Sequence, residues 1–265
     1  MFENLTDKLE RSFKLIGMVW VVSHFCKKDS TVHFEGKVWK MKGRIVESIF
    51  AIGMSPFLMN VCACAIVIVI NNSLQEHGGD MAIGAYGIIN RLLTLYVMIV
   101  LGLTMGMQPI VGYNFGAQKI DRVKQTLKLG IISGVVITSS GFLICEFFPH
   151  AVSAVFTDSD ELIGLAVDGL RLTVLMFPFV GAQIVIGNFF QSIGKVKISI
   201  FLSLTRQLLY LLPCLLLFPH WWGLKGIWIS LPVSDSLAFI TAVISLMIYI
   251  KKVSKEHPIA DKVAE

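Results

Sequence analysis

Long runs of apolar residues, each closed by a short polar stretch, make up most of this chain. A helix needs about 20 predominantly apolar residues to cross about 30 Å of hydrocarbon. Six runs reach that length, at roughly 45–70, 81–107, 129–148, 170–193, 198–218 and 226–250. Between them lie the polar stretch Asn71–Asp80, a basic stretch around Lys119–Lys128, and a segment from His150 that opens as a short surface helix and ends at Glu161. Gly194–Lys197 and Pro219–Lys225 complete the series. The pattern predicts an all-α membrane protein, a six-transmembrane-helix bundle over 45–250, with residues 1–44 before it and a tail, 251–265, after it.

The first 44 residues divide into an apolar run, Phe13–Phe25, and a basic linker. The run is too short to span, and mixed charges (Asp7, Glu10, Arg11) precede it. A signal peptide would have a basic start and a small-residue cleavage site. The run is expected to be an interfacial helix or the tail end of a preceding span.

Composition sharpens this picture. Residues are 55% hydrophobic and 15% charged, with a mean hydropathy of +0.72, against about a quarter charged in soluble domains. The net charge of +5 would fit nucleic acid only if the cations formed one patch. Instead they alternate by loop. One set of loops holds Lys27, Lys28, Lys37, Lys40, Lys42 and Arg44, then Lys119 to Lys128, then Lys195 and Lys197, then the C-terminal lysines. The other holds Glu76, Asp80, Asp158, Asp160 and Glu161, with Lys225 as its clear cation. Cytoplasmic loops are enriched in Lys and Arg. A multi-pass protein of the inner (plasma) membrane with a cytoplasmic C-terminus is therefore expected, its partner the lipid bilayer and not nucleic acid. Trp221 and Trp222 then fall at the outer interface, where amphipathic rings settle.

Chemistry-bearing motifs are few. Five cysteines (Cys26, Cys62, Cys64, Cys145, Cys214) sit mostly in apolar runs without zinc spacing and read as small packers. No phosphate-binding glycine loop is present. The histidines (24, 33, 77, 150, 220 and 257) lie at or beyond the span ends, which argues against an intramembrane enzyme. Neither a metal nor a cofactor is expected.

Ionisable residues inside spans are costly and mark function by default. Arg91, Glu146, Arg206 and Asp235 qualify, as do Asp168 and Arg171, whose spacing predicts a local ion pair. Arg206 and Asp235 lie on consecutive spans at depths about 10 Å apart, a gap that side-chain reach can partly close. They read either as a structural pair or as a site where Asp235 faces a watery cavity and binds a cation or proton. Asn60, Gln183, Asn188 and Gln191 are uncharged candidates for the wall of a substrate pathway, or for bonds between helices. Glycines and prolines within spans (Gly53 and Pro56, Pro109, Pro178 and Gly181, Pro213, Pro232) suit helices that kink during alternating access.

The segment Gly106–Lys119, carrying Gln108, Pro109, Gly112, Tyr113, Asn114 and Gly116 and followed by Arg122 and Lys124, resembles a signature loop of the multidrug and toxic compound extrusion (MATE) transporters. That loop follows the second helix of their C-terminal lobe. Gly187–Lys195, with Leu204–Gln207 following, is similar to the end of the lobe's fourth helix and the start of its fifth. The tone is that of the bacterial multidrug-export branch, and the likeness runs from about residue 12 to residue 255. The resemblance implies one lobe of a twelve-helix secondary transporter that antiports cationic or amphipathic small molecules against H+ or Na+. It leaves two alternatives, a truncated and inactive fragment or a half-size chain working as a dimer, and implies a separate N-terminal lobe or a second copy as partner. Some members carry carboxylates in the first and fourth C-lobe helices. This chain has none near Asn60–Cys64 or Val180–Gly181, so the resemblance transfers no coupling carboxylate to it.

Overall fold

The computed structural model describes residues 14–20, 23 and 43–256, and the molecule divides into two compact units, Met1–Met54 and Ser55–Glu265. In the first unit, residues 14–20 are helical and exposed. The rest of the Phe13–Phe25 run other than Ser23, the linker before Gly43 and the tail after Glu256 lie outside the described residues.

The elements are helical throughout. α1 spans Gly43–Gly116, α2 Ile120–Phe147, α3 Pro149–Ala154 and α4 Asp160–Thr173. A 3-10 turn, Val174–Met176, leads into α5, Phe177–Ser192. α6 (Val196–Leu204) passes through a π-helical turn, Thr205–Leu211, into α7 (Leu212–Trp222), and α8 runs Leu224–Glu256. α3 is the short helix expected from His150 onward.

Five helical stretches among the described residues are long and apolar enough to cross a membrane, not the six expected. The difference lies in the first, Asn60–Gly116, whose 57 residues would extend about 85 Å if straight, far beyond a bilayer core. It is broken at Gly79, where φ is 64° and ψ is −164°, a region essentially reserved for glycine. Ile66, Ile70 and Leu74 before the break share one buried cluster with Ile89 after it and with Leu211 and Leu215. The chain therefore doubles back at Gly79, and the polar stretch 71–80, expected as a loop, is helical up to that residue. Two other boundaries also move. α2 begins at Ile120, so most of the basic loop is helix. The fourth crossing starts at Asp160, ten residues before the expected 170. It passes through the 3-10 turn just ahead of Pro178, whose ring and missing N–H interrupt an α-helical ladder.

Side-chain contacts fix the directions. Gly84 faces Leu162, Ile89 faces Gly169, Tyr96 stacks edge-on against Phe177 and Gln108 meets Asn188. The numbers rise together, so the second arm of α1 runs parallel to α4 and α5. Met107 faces Gly130 while Tyr96 faces Gly141, which makes α2 antiparallel to that arm. Phe179 with Phe239, and Phe190 with Tyr249, set α8 parallel to α5. Lys119, Arg122, Lys124, Lys128, Lys195, Lys197 and Lys251 consequently gather at one end of the bundle. Glu76, Asp80, Asp158, Asp160 and Glu161 gather at the other.

The α2–α5 crossing is the tightest. A Cβ on Gly181 would fall on the Gly134 carbonyl oxygen and within 2.6 Å of the Thr138 hydroxyl. That hydroxyl, fully buried, lies 2.9 Å from the Gly134 carbonyl and 3.0 Å from the Pro178 carbonyl, and its proton serves one or the other. Close backbone approach at small residues is how membrane helices gain van der Waals packing. Gly181→Ala is expected to cost about 1–3 kcal/mol through overpacking, whereas Gly102→Ala, where a Cβ meets nothing within 4 Å, is expected to be close to neutral. Thermal unfolding of the two variants in detergent checks the contrast.

Candidate functional site: a polar cleft between α5 and α6

Gln183, Gly187, Asn188 and Gln191 recur along α5 at helical spacing, as do Ser199, Ser203, Arg206 and Gln207 along α6 and the π-helical turn. Residues three or four apart share a helix face. The two faces meet, with Leu101 of α1 beside them, in a cleft of about 300 Å³. Four of the expected pathway residues, Gln183, Asn188, Gln191 and Arg206, line it. Ser199 and Ser203 are additions that sequence reasoning missed, although their spacing to Arg206 was a readable signal.

Gln108 joins the site from α1, its side-chain amide donating to the Asn188 side-chain oxygen at a long 3.5 Å. Asn188 also donates to the Ile184 carbonyl at 2.9 Å. Gln183 is only 8% exposed, and its side-chain oxygen is buried without a hydrogen-bond partner. Buried polar atoms are nearly always paired, so an unmet acceptor beside a cleft marks a place where stability is given up, by about 1–3 kcal/mol.

Arg206 reaches Asp235 of α8, its Nε donating to a carboxylate oxygen at 2.8 Å. Arg206 lies within the π-helical turn. The N–H of Leu212 bonds the Gln207 carbonyl, five residues back, which widens the helix one turn ahead of Pro213. Such bulges relieve the clash that a proline ring makes with the preceding turn. Within the same turn Arg206 and Tyr210 face α8, where Tyr210 lies 2.8 Å from the Thr241 hydroxyl, while Gln207 lines the cleft. Asp235 stands behind Arg206 and is not part of the cleft wall.

The remaining candidates lie elsewhere. Asn60 and Arg91 are exposed and do not line the cleft. The α1–α2 register sets Arg91 level with Glu146, yet no salt bridge joins them, and one Glu146 carboxylate oxygen is buried without a hydrogen-bond partner. Asp168 and Arg171, expected as a local ion pair, are both exposed and unpaired, lining a shallow cleft with His150 at the acidic end. No group of three His, Cys, Asp or Glu placed to hold a metal occurs among the described residues.

The signature stretch is a helix, not a loop. Gln108, Pro109, Gly112, Tyr113, Asn114 and Gly116 form the last turns of α1. Gly112 packs near the Ser192 carbonyl, Asn114 donates its side-chain amide to the Ile110 carbonyl at 2.8 Å, and Tyr113 is 74% exposed. The turn itself is confined to 117–119. There Lys119 N–H bonds the Asn114 carbonyl and Gln118 N–H the Phe115 carbonyl, with Gln118 at φ 58°. α5 ends the same way, with Lys195 N–H on the Phe190 carbonyl, Gly194 N–H on the Gln191 carbonyl and Gly194 at φ 75°. Both are left-handed caps that satisfy the last carbonyls.

Breaking the Arg206–Asp235 pair on one side strands a charge. Arg206→Met alone, which leaves the largely buried Asp235 carboxylate without its partner, is expected to destabilise by about 3 kcal/mol, and Arg206→Met/Asp235→Leu together by clearly less, because paired removal leaves no uncompensated ion. A double-mutant cycle on thermal stability measures the coupling, and additive losses would rule it out.

With this geometry in place, comparison with known proteins is decisive at the family level. The MatE family model matches residues 51–216. Multidrug export protein MepA of Staphylococcus haemolyticus is 26% identical over 84% of this chain and 48% of its own length. MepA of Staphylococcus aureus is 27% identical over 88% of this chain and 50% of its own length. Among solved structures, the MATE multidrug transporter DinF-BH superposes with a TM-score of 0.74 at 33% identity, over 88% of this chain and 52% of that one. An inward-facing multidrug resistance MATE transporter superposes with a TM-score of 0.77 at 19% identity, over 89% of this chain and 55% of that one, and shows the fold alone. The chain spans about half the length of the relatives it matches. By a family match that covers more than half of its residues, the chain belongs to the MatE family.

Proposed function

We propose that this chain acts as the C-terminal lobe of a multidrug exporter, with the α5–α6 cleft as its share of the wall of the transport pathway. The observation that carries the reading is the cleft itself, where amides and hydroxyls from two helices converge beside an unmet acceptor on Gln183. The single cation in that wall, Arg206, is neutralised by Asp235 from behind. The cleft therefore does not repel a cationic or amphipathic guest, the class that the relatives' name as multidrug export proteins points to. Its chemistry is binding and release, driven by exchange with H+ or Na+. The basic end of the bundle faces the cytoplasm of the cell in whose plasma membrane the protein sits, in keeping with the enrichment of Lys and Arg on that side.

Efflux of a fluorescent cationic dye from cells tests this reading. Export by the chain together with an N-terminal MATE lobe, lost on collapsing the ion gradients, is the expected result. Export by the chain alone would favour a working dimer, and its absence in both cases, with the protein verified in the membrane, would mean an inactive fragment. Gln183→Met is expected to raise thermal stability by about 1 kcal/mol, since it removes an unpaired polar atom, while slowing dye export severalfold. A variant that is more stable and exports at the unaltered rate would remove Gln183 from the pathway.

A further inference from the structure

A second cleft, of about 310 Å³, opens at the basic end of the bundle on a different face of α5. α2 and α8 both pack against α5, through Gly130 on Val185 and through Tyr249 on Phe189 and Phe190. Phe189 floors the gap between them. Ten of the twelve residues lining it are aliphatic or aromatic, and the other two are Lys124 and Lys128, one turn apart on α2. The flanks are apolar and exposed as well: Leu129 and Ile132 on α2, Met247 and Ile248 on α8. A carbon-walled slot with two ammonium stems along one side is an amphiphile site in which the tail lies inward and an anionic head meets the lysines.

We propose that this cleft binds an acyl chain of an anionic phospholipid, whose headgroup phosphate meets Lys124 and Lys128. Charge decides the sign of the ligand. Lys119, Arg122, Lys195, Lys197 and Lys251 crowd the same end and outnumber its acidic residues, Asp121 on α2 and Glu256 at the end of α8. A cationic amphiphile would be repelled at this mouth, whereas basic pockets between membrane helices attract phosphate headgroups. The slot is thus separate in chemistry from the polar, charge-compensated α5–α6 cleft, and the inference stands whether or not that cleft carries substrate.

Native mass spectrometry of the purified full chain, exchanged into detergent doped with equal phosphatidylglycerol and phosphatidylcholine, counts the lipids retained. Phosphatidylglycerol is expected to exceed phosphatidylcholine by roughly fivefold to thirtyfold, the range that one to two lysine–headgroup contacts supply. K124Q/K128Q should abolish that preference, and K195Q/K197Q, at the same end but outside the slot, should keep it. I132W, which narrows the slot and leaves both lysines in place, should reduce phosphatidylglycerol retention at least severalfold. The proposal is overturned if the preference survives K124Q/K128Q, if K195Q/K197Q erases it equally, if I132W leaves retention unchanged, or if glycerol phosphate without acyl chains displaces the lipid.

Discussion

Hydrocarbon offers no water to a peptide group, so every backbone N–H and C=O in a spanning segment must find its partner inside the protein. That constraint makes the described chain almost wholly helical, and it gives the departures from helix their meaning. Gly79 breaks α1 where the polar stretch Asn71–Asp80 brings the chain to the acidic end of the bundle. The 3-10 turn at Val174–Met176 sits ahead of Pro178, beside the Thr138 hydroxyl that reaches the Pro178 carbonyl. The π-helical turn at Thr205–Leu211 precedes Pro213 and divides its side chains between α8 and the polar cleft. The first is a Gly-only conformation, and the other two sit next to a proline and beside a hydrogen-bonded side chain.

The glycine contact between α2 and α5 organises the rest. With Gly134 and Gly181 backbone to backbone, α5 lies in the middle of the unit. α2 and α8 pack against it, and the second arm of α1 runs parallel to it. Because α5 is central, its different faces serve different purposes. Val185 and Phe190 are buried in the core, Gln183, Asn188 and Gln191 line the polar cleft, and Phe189 floors the apolar slot. One 16-residue helix thereby touches the core and both clefts.

Electrostatics separate the two clefts. In the α5–α6 cleft the guanidinium of Arg206 is answered by Asp235 at 2.8 Å, so the one cation in the wall is compensated from behind. In the α2–α8 slot Lys124 and Lys128 stand among further cations at the basic end. The same bundle thus offers two clefts of different charge, which under the two proposals above would keep an anionic lipid and a cationic guest apart.

Much of this was legible in the chain itself. Apolar runs of spanning length required membrane helices, because hydrocarbon rewards nothing else. The alternation of basic and acidic stretches required the charges to segregate by end once the helices ran up and down. The Gly106–Lys119 and Gly187–Lys195 segments carried the family resemblance, and Gln183, Asn188 and Gln191 stood out as uncharged polar residues within one apolar run. What the chain could not decide were matters of three dimensions. Periodicity does not reveal that Gly79 alone turns a 57-residue helix back on itself, since a polar stretch can be loop or helix. Nor does it reveal that Asp168 and Arg171 stay apart, or that Arg206 meets Asp235 from within a π-helical turn. Those outcomes depend on which helix packs beside which, and close packing between distant segments is settled only when the whole bundle assembles.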